Sequence, residues 1–233
     1  KRAFSEAGVD MGSIDGVAVT QGPGLIGSLL VGLEAAKAFA YARNIPLVGV
    51  HHTEGHLLAP LIDTTDGMEK PEFPFMGLVV SGGHTNLIAV HAGGKYEMIG
   101  QTLDDAAGEA LDKVGKMLGL PYPGGVAIDK LSADGNRDRF AFPRALPQHD
   151  NFDFSFSGLK TSVMTQLRRM GSMPEGQDLH DLCASALEAV VDSLARKTIR
   201  AAHKIGAQTV VVAGGVSANR RLRARLKDDC EAH

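Results

Sequence analysis

The stretch FMGLVVSGGHTNLIAVHAGGKYEMIG, residues 75–100, is three apolar runs separated by two glycine turns. Residues 75–80, 86–91 and 96–100 read as strands, and Ser81-Gly82-Gly83 and Gly93-Gly94 as the short turns between them. Strands in such quick succession form an antiparallel meander. Helices are predicted over 104–118, 125–133, 158–170 and 179–205, then a buried strand over 209–213 and a helix over 217–227. A meander followed by helix, strand and helix describes a ribonuclease-H-like lobe.

Upstream, the strand Val17-Ala18-Val19 breaks at Gly22-Pro23-Gly24 and leads to a predicted helix over 26–43. The strand Leu47-Val48-Gly49-Val50 follows, then a helix to about residue 62. Strand, helix, strand, helix implies a parallel sheet with helices packed on it. Residues 63–74 read as a connector. The expected fold class is therefore α/β, with two lobes and a cleft between them. Residues 1–70 are the second half of an N-terminal lobe, and residues 71–233 a C-terminal lobe with a helical insertion. Both ends are expected to be truncated: opening strands should precede Lys1, and a last strand and helix should follow His233.

The 233 residues are 44% hydrophobic and 22% charged, as in a water-soluble globular protein. The 28 glycines cluster between apolar runs, which suits backbone approaching a ligand better than a flexible linker. A formal charge of −3 gives no global nucleic-acid signature, so an RNA contact would need a local patch. Cys183 and Cys230 lack metal-type spacing and read as free thiols in a reducing compartment. No signal peptide is visible, and the longest apolar helix carries Glu34 and Lys37. The expectation is a cytoplasmic protein with no membrane partner.

Chemistry concentrates first in His51-His52-Thr53-Glu54-Gly55-His56, directly after a strand. On a helix, His52 and His56 lie on one face, one turn apart, and make half of a metal site. A zinc protease needs Glu immediately after the first His. Glu54 is two residues on, about 200° around the helix. The pair thus argues for a metal centre and against that protease chemistry. An ordinary polar pair or a helix-capping cluster accounts for it as well.

Gly22-Pro23-Gly24, Ser81-Gly82-Gly83 and Gly214-Gly215 each follow a strand, where backbone N–H groups attract phosphate. Each alone is more often a plain turn. Two of them aimed at one cleft give the nucleotide arrangement of the actin, hexokinase and Hsp70 class. Asp105, Glu109 and Asp112 recur at helical spacing and form an acidic stripe for ribose hydroxyls or magnesium. The alternative is complementation of the helix dipole. Phe152, Phe154 and Phe156 read as anchors of an extended segment. The basic run from Arg220 to Lys227 reads as a solvated face or a phosphate-backbone contact.

Six blocks become specific together: VTQGPGLIGSLLVG, HHTEGHLLAP, LVVSGGHT, DDAAGEALDKVGKMLGLPYPGG, FDFSFSGLKT and VVAGGVSANRRLR. In this order, from about residue 14 to residue 227, they closely resemble the TsaD family (also called YgjD or Gcp). These are tRNA N6-adenosine threonylcarbamoyltransferases of the ASKHA superfamily. The resemblance implies transfer of a threonylcarbamoyl group from threonylcarbamoyl-AMP to N6 of the adenosine 3′ of the anticodon, in tRNAs reading ANN codons. It makes His52 and His56 the metal ligands, with Fe(2+) as the divalent ion and Zn(2+) as the alternative. It makes Val79, Val80, Ser81, Gly82 and Gly83 the substrate-binding loop, and Asp112, Gly125, Asp129 and Asn219 further donor contacts. It assigns no catalytic residue within this chain. The third metal ligand, an aspartate, is expected after His233. Implied partners are tRNA, a TsaB-like paralogue and a TsaE-like ATPase. The competing readings are a metal-dependent glycoprotein endopeptidase and a non-catalytic ASKHA scaffold subunit.

Overall fold

The computed structural model describes residues 2–62 and 70–232, apart from the side chain of Ala3. Residues 63–69 of the expected connector lie outside the described residues. The chain divides into two compact units, Lys1–Ala59 and Pro60–His233.

The first unit opens with α1 (Arg2–Ala7) and carries one β-α-β crossover. β1 (Val17–Gly22) runs parallel to β2 (Leu47–His51), with Val17 opposite Leu47 and Thr20 opposite Val50. The link is α2 (Ile26–Arg43), whose bounds are those the sequence predicts. It stops at Asn44, held at φ 51°, a left-handed conformation that Asn tolerates at a helix C-terminus. Directly after β2 comes α3 (His52–Leu58), with Thr53 and Leu57 buried on one face.

The second unit is built on a four-stranded sheet of order β5-β4-β3-β6. β3 (Phe75–Val80), β4 (Thr85–Ala92) and β5 (Lys95–Gln101) form the antiparallel meander. β6 (Val210–Ala213) pairs parallel with β3, with Val212 opposite Leu78. Every residue of β3 is buried, which is why it reads as an unbroken apolar run. Five helices surround the sheet: α4 (Ala107–Met117), α5 (Gly124–Leu131), α6 (Ser157–Met170), α7 (Gly176–Ile205) and α8 (Arg220–Glu231). One core joins Met76, Leu78 and Leu87 of the sheet to Leu111, Val163, Leu187, Leu194 and Leu222 of the helices. Where α4 crosses α5, a Cβ on Gly115 would sit 2.6 Å from the Gly124 Cα, so glycine sets that spacing.

Three expectations change. The first helix after the meander begins at Ala107, three residues later than predicted. Asp104 is outside it and serves another element: its carboxylate accepts from the N–H groups of Phe156 and Ser157 and from both serine hydroxyls, Ser155 and Ser157. It caps the start of α6 across fifty residues of sequence. Second, the segment around Phe154 is anchored by its Phe rings as expected, and it also pairs with the end of the meander. The Phe154 N–H donates to the Gln101 carbonyl and the Leu103 N–H to the Phe154 carbonyl, both at 2.9 Å, so the segment lies beside the end of β5 with all three Phe rings buried. The Lys197 ammonium, buried in α7, holds it from behind by donating to the carbonyls of Asn151 and Asp153. Third, the basic run on α8 is largely neutralised from within. Arg221 binds Glu188 through Nε and Nη2 at 2.7 and 2.8 Å, Arg225 reaches Asp192 and Asp229, and Lys227 pairs with Glu231. Most of its charge is therefore taken up within the protein.

Candidate functional site

Two features carry chemistry, one in each unit. In the first unit, α3 presents the histidine pair. The Nε2 atoms of His52 and His56 are 3.2 Å apart, with ring centroids 4.5 Å apart and planes inclined at 68°. Two nitrogens at that separation suit a single ion: metal–nitrogen bonds of ~2.1 Å close an N–metal–N angle of about 100°. The residues present therefore fit two ligands of one divalent metal. Among the described residues, no group of three or more His, Cys, Asp or Glu side chains could hold one.

In the second unit, the turn after β3 begins the pocket. Ser81 closes it, its N–H donating to the His84 carbonyl and its Oγ accepting from the N–H groups of Gly83 and His84. Those two amides are thereby occupied within the turn. α4 is pressed onto this turn. The Gly108 N–H donates to the Ser81 carbonyl, and the Ala107 N–H to the buried Thr85 hydroxyl. A Cβ on Gly108 would lie 2.7 Å from the Ser81 carbonyl oxygen. Only glycine permits that approach.

The second glycine pair follows β6. Gly214 adopts φ 93° and ψ 170°, a region almost confined to glycine, and a Cβ there would collide with the Val80 carbonyl. This close pass of Gly214 against the end of β3 sets Gly215 and Gly82 on one cavity of about 440 Å³. Apart from their own chain neighbours, neither Gly82 nor Gly215 has a heavy atom within 4 Å of where its Cβ would stand. α4 contributes Gly108, Leu111 and Asp112 to the wall, and the turn and start of α5 contribute Tyr122, Pro123, Gly125, Val126 and Asp129. Val216, Ala218 and Asn219 complete it.

The polar groups on this wall are held in place. The Asp112 carboxylate accepts from the Gly125 N–H at 3.0 Å, tying α4 to α5. The Asp129 carboxylate accepts from Arg220 Nε at 3.1 Å, while its carbonyl accepts from Arg220 Nη2. Asn219 Oδ1 caps α8 by accepting from the Leu222 N–H at 2.9 Å, and the residue lines the cavity. Such a cavity, apolar with a few fixed polar groups, lies in the size range of small-molecule sites.

Of the residues assigned to substrate from the sequence, the structure brings five together on this wall: Gly82, Asp112, Gly125, Asp129 and Asn219. Ser81 and Gly83 belong to the turn behind it. Val79 and Val80 are buried in β3. The acidic stripe does not survive intact. The Lys113 ammonium takes Asp105 and Glu109 at 2.6 and 2.9 Å, leaving Asp112 alone on the cavity. Leu111, Tyr122, Val126 and Val216 were missed as wall residues. Leu111 and Val126, each adjacent in sequence to an assigned residue, carried the available signal.

The whole sequence, residues 1–233, matches the model of the family described as TsaD, tRNA N6-adenosine threonylcarbamoyltransferase. The chain belongs to the TsaD family. It is 54% identical over 224 residues to the tRNA N6-adenosine threonylcarbamoyltransferase of Syntrophotalea carbinolica, covering 96% of this chain and 64% of that one. It is 52% identical over 226 residues to the protein of that name from Geotalea uraniireducens, covering 97% of this chain and 64% of that one. The chain thus spans 64% of the length of these curated relatives. Among solved structures, full-length HypF in its phosphate- and nucleotide-bound form superposes with a TM-score of 0.68 at 15% identity, over 99% of this chain and 44% of that one. That likeness is one of fold, the α/β architecture expected from the meander and the β-α-β unit. No described helix is long and apolar enough to cross a membrane.

Proposed function

We propose that the protein to which this chain belongs transfers a threonylcarbamoyl group from threonylcarbamoyl-AMP to N6 of the adenosine 3′ of the anticodon, in tRNAs reading ANN codons. Beside the family membership, the supporting observation is the cavity between the Gly82 turn and the Gly215 turn, with two carboxylates on its wall. Leu111, Pro123, Val126 and Val216 give an apolar surface for a purine. Asp112 and Asp129 are acceptors for ribose hydroxyls. The Gly82 and Gly215 turns and the Asn219 side chain would supply donors for a phosphate. Holding the adenylate by donors that strengthen as charge develops on the leaving phosphate favours acyl transfer over simple binding.

His52 and His56 would hold one divalent metal, Fe(2+) by family likeness and Zn(2+) as the alternative. When bound, such an ion supplies Lewis acidity toward a carbonyl oxygen. The family likeness also carries the expected partners, tRNA, a TsaB-like paralogue and a TsaE-like ATPase, and a cytoplasmic place of work.

Titration calorimetry with AMP tests the cavity. Because Gly82 has open space around it, Gly82→Val should fold normally and lose most of its AMP affinity. Equal affinity in a folded Gly82→Val protein overturns the assignment.

A further inference from the structure

Beyond the Asp129–Arg220 pair lies a second basin that the nucleotide reading leaves unused. It has a volume of about 240 Å³ and shares Asp129 with the first cavity. Three guanidinium groups line it, Arg137, Arg220 and Arg221, against two carboxylates, Asp129 and Glu188. These cations are committed to very different degrees. Arg221 is spent on Glu188 through two hydrogen bonds. Arg220 gives Nε and Nη2 to Asp129, keeps Nη1, and is about two-thirds exposed. Arg137 is exposed and, among the described residues, makes no ion pair or side-chain hydrogen bond, although its charge helps hold the Glu188 carboxyl below the usual range.

Glu188 is therefore ionised and already satisfied, and the basin keeps an excess of one positive charge with free guanidinium donors at its mouth. Guanidinium forks match phosphate oxygens, and an exposed one of this kind is better placed to bind an anion than to hold the fold. The volume falls below the ~300–1,000 Å³ of whole small-molecule sites, so it suits one anionic group rather than a second cofactor. Its place is also informative. An acceptor whose base must reach a donor in the first cavity carries its backbone phosphates along the rim of that cavity, one ion pair away.

We propose that this basin seats a backbone phosphate of the acceptor tRNA, with Arg137 and the free edge of Arg220 as the contacting groups. The proposal rests on the transferase reading above. A phosphodiester of RNA and a free phosphate or nucleotide phosphate share this chemistry, and the test separates them.

The full-length protein and its Arg137→Gln and Arg137→Glu variants are compared for tRNA binding across a salt series, and for binding of AMP and inorganic phosphate. Arg137→Gln should weaken tRNA binding by about fivefold and reduce the slope of log K against log salt by about one, with AMP affinity unchanged. Arg137→Glu should weaken it further. Unchanged tRNA affinity and slope in both variants overturns the basin as an RNA contact while leaving the transferase reading in place. A loss of AMP or phosphate affinity that matches the loss for tRNA overturns it in favour of a small-anion site. A wild-type protein that binds no tRNA at any salt overturns the transferase reading and this proposal together.

Discussion

Gly214→Ala probes the contact that brings the two glycine turns onto one cavity. At φ 93° and ψ 170° the residue sits where an L side chain is strained by about 1–3 kcal/mol. The added methyl would also meet the Val80 carbonyl oxygen, with the Val80 carbonyl carbon 2.9 Å and its nitrogen 3.3 Å away. These are backbone atoms of a fully buried strand and cannot rotate aside, so overpacking adds roughly 1–3 kcal/mol. The sum, about 2–6 kcal/mol, corresponds to a melting temperature lower by at least about 4 °C for a domain of this size. Differential scanning calorimetry reads that shift, and AMP titration of the folded fraction reads the displaced turn as weakened binding. Gly215→Ala is the control. Its Cβ meets nothing within 4 Å, so its melting temperature should stay within about 1 °C of wild type while its AMP affinity falls. If Gly214→Ala melts with the wild type, or if Gly215→Ala is the less stable of the two, the close pass of Gly214 against β3 does not build the cavity.

Glu188→Ala removes the partner of a largely buried Arg221 and should cost about 3 kcal/mol in denaturant unfolding. Burial pushes the Glu188 carboxyl up, but the Arg221 hydrogen bonds and the charges of Arg221, Arg137 and Arg225 together hold it below its usual value. With the folded value depressed, the pair's stabilisation is complete above the ordinary carboxylate range and is lost as pH falls through the folded value. Acid titration of wild type against Glu188→Gln should show the variant losing less stability in that window. His52→Ala and His56→Ala should each lower bound divalent metal in the full-length protein by elemental analysis if the proposed site holds, because their Nε2 atoms, 3.2 Å apart, are close enough to share one ion. Unchanged metal content in both variants removes the pair from the site.

What the sequence disclosed follows from how local each cause is. α2 was legible to the residue because its ends are marked by the Gly22-Pro23-Gly24 break and by Asn44. β3 was legible because burial on both faces leaves no polar residue in it. The same burial holds the Val79 and Val80 side chains in the core, so only their backbone could take part in a binding loop. Asp104 looked like the first turn of the nearest helix, because nothing local reveals that Ser155 and Ser157 complete a cap with it. The acidic stripe and the basic run on α8 shared that fault. Helical spacing shows which side chains share a face, but not that Lys113 lies between Asp105 and Glu109, or that Glu188, far away in α7, receives Arg221. Five of the cavity residues were found because motif glycines and carboxylates are distinctive, whereas Leu111, Val126 and Val216 resemble any core residue until the helices are placed.

The central claim is tested most directly by mass spectrometry of tRNA nucleosides. Full-length protein, the proposed TsaB-like and TsaE-like partners, tRNA and threonylcarbamoyl-AMP are incubated together, with a parallel reaction using Gly82→Val. N6-threonylcarbamoyladenosine should form in the wild-type reaction, with little or none from the variant. Unmodified adenosine in the wild-type reaction, or equal product from the variant, would contradict the claim.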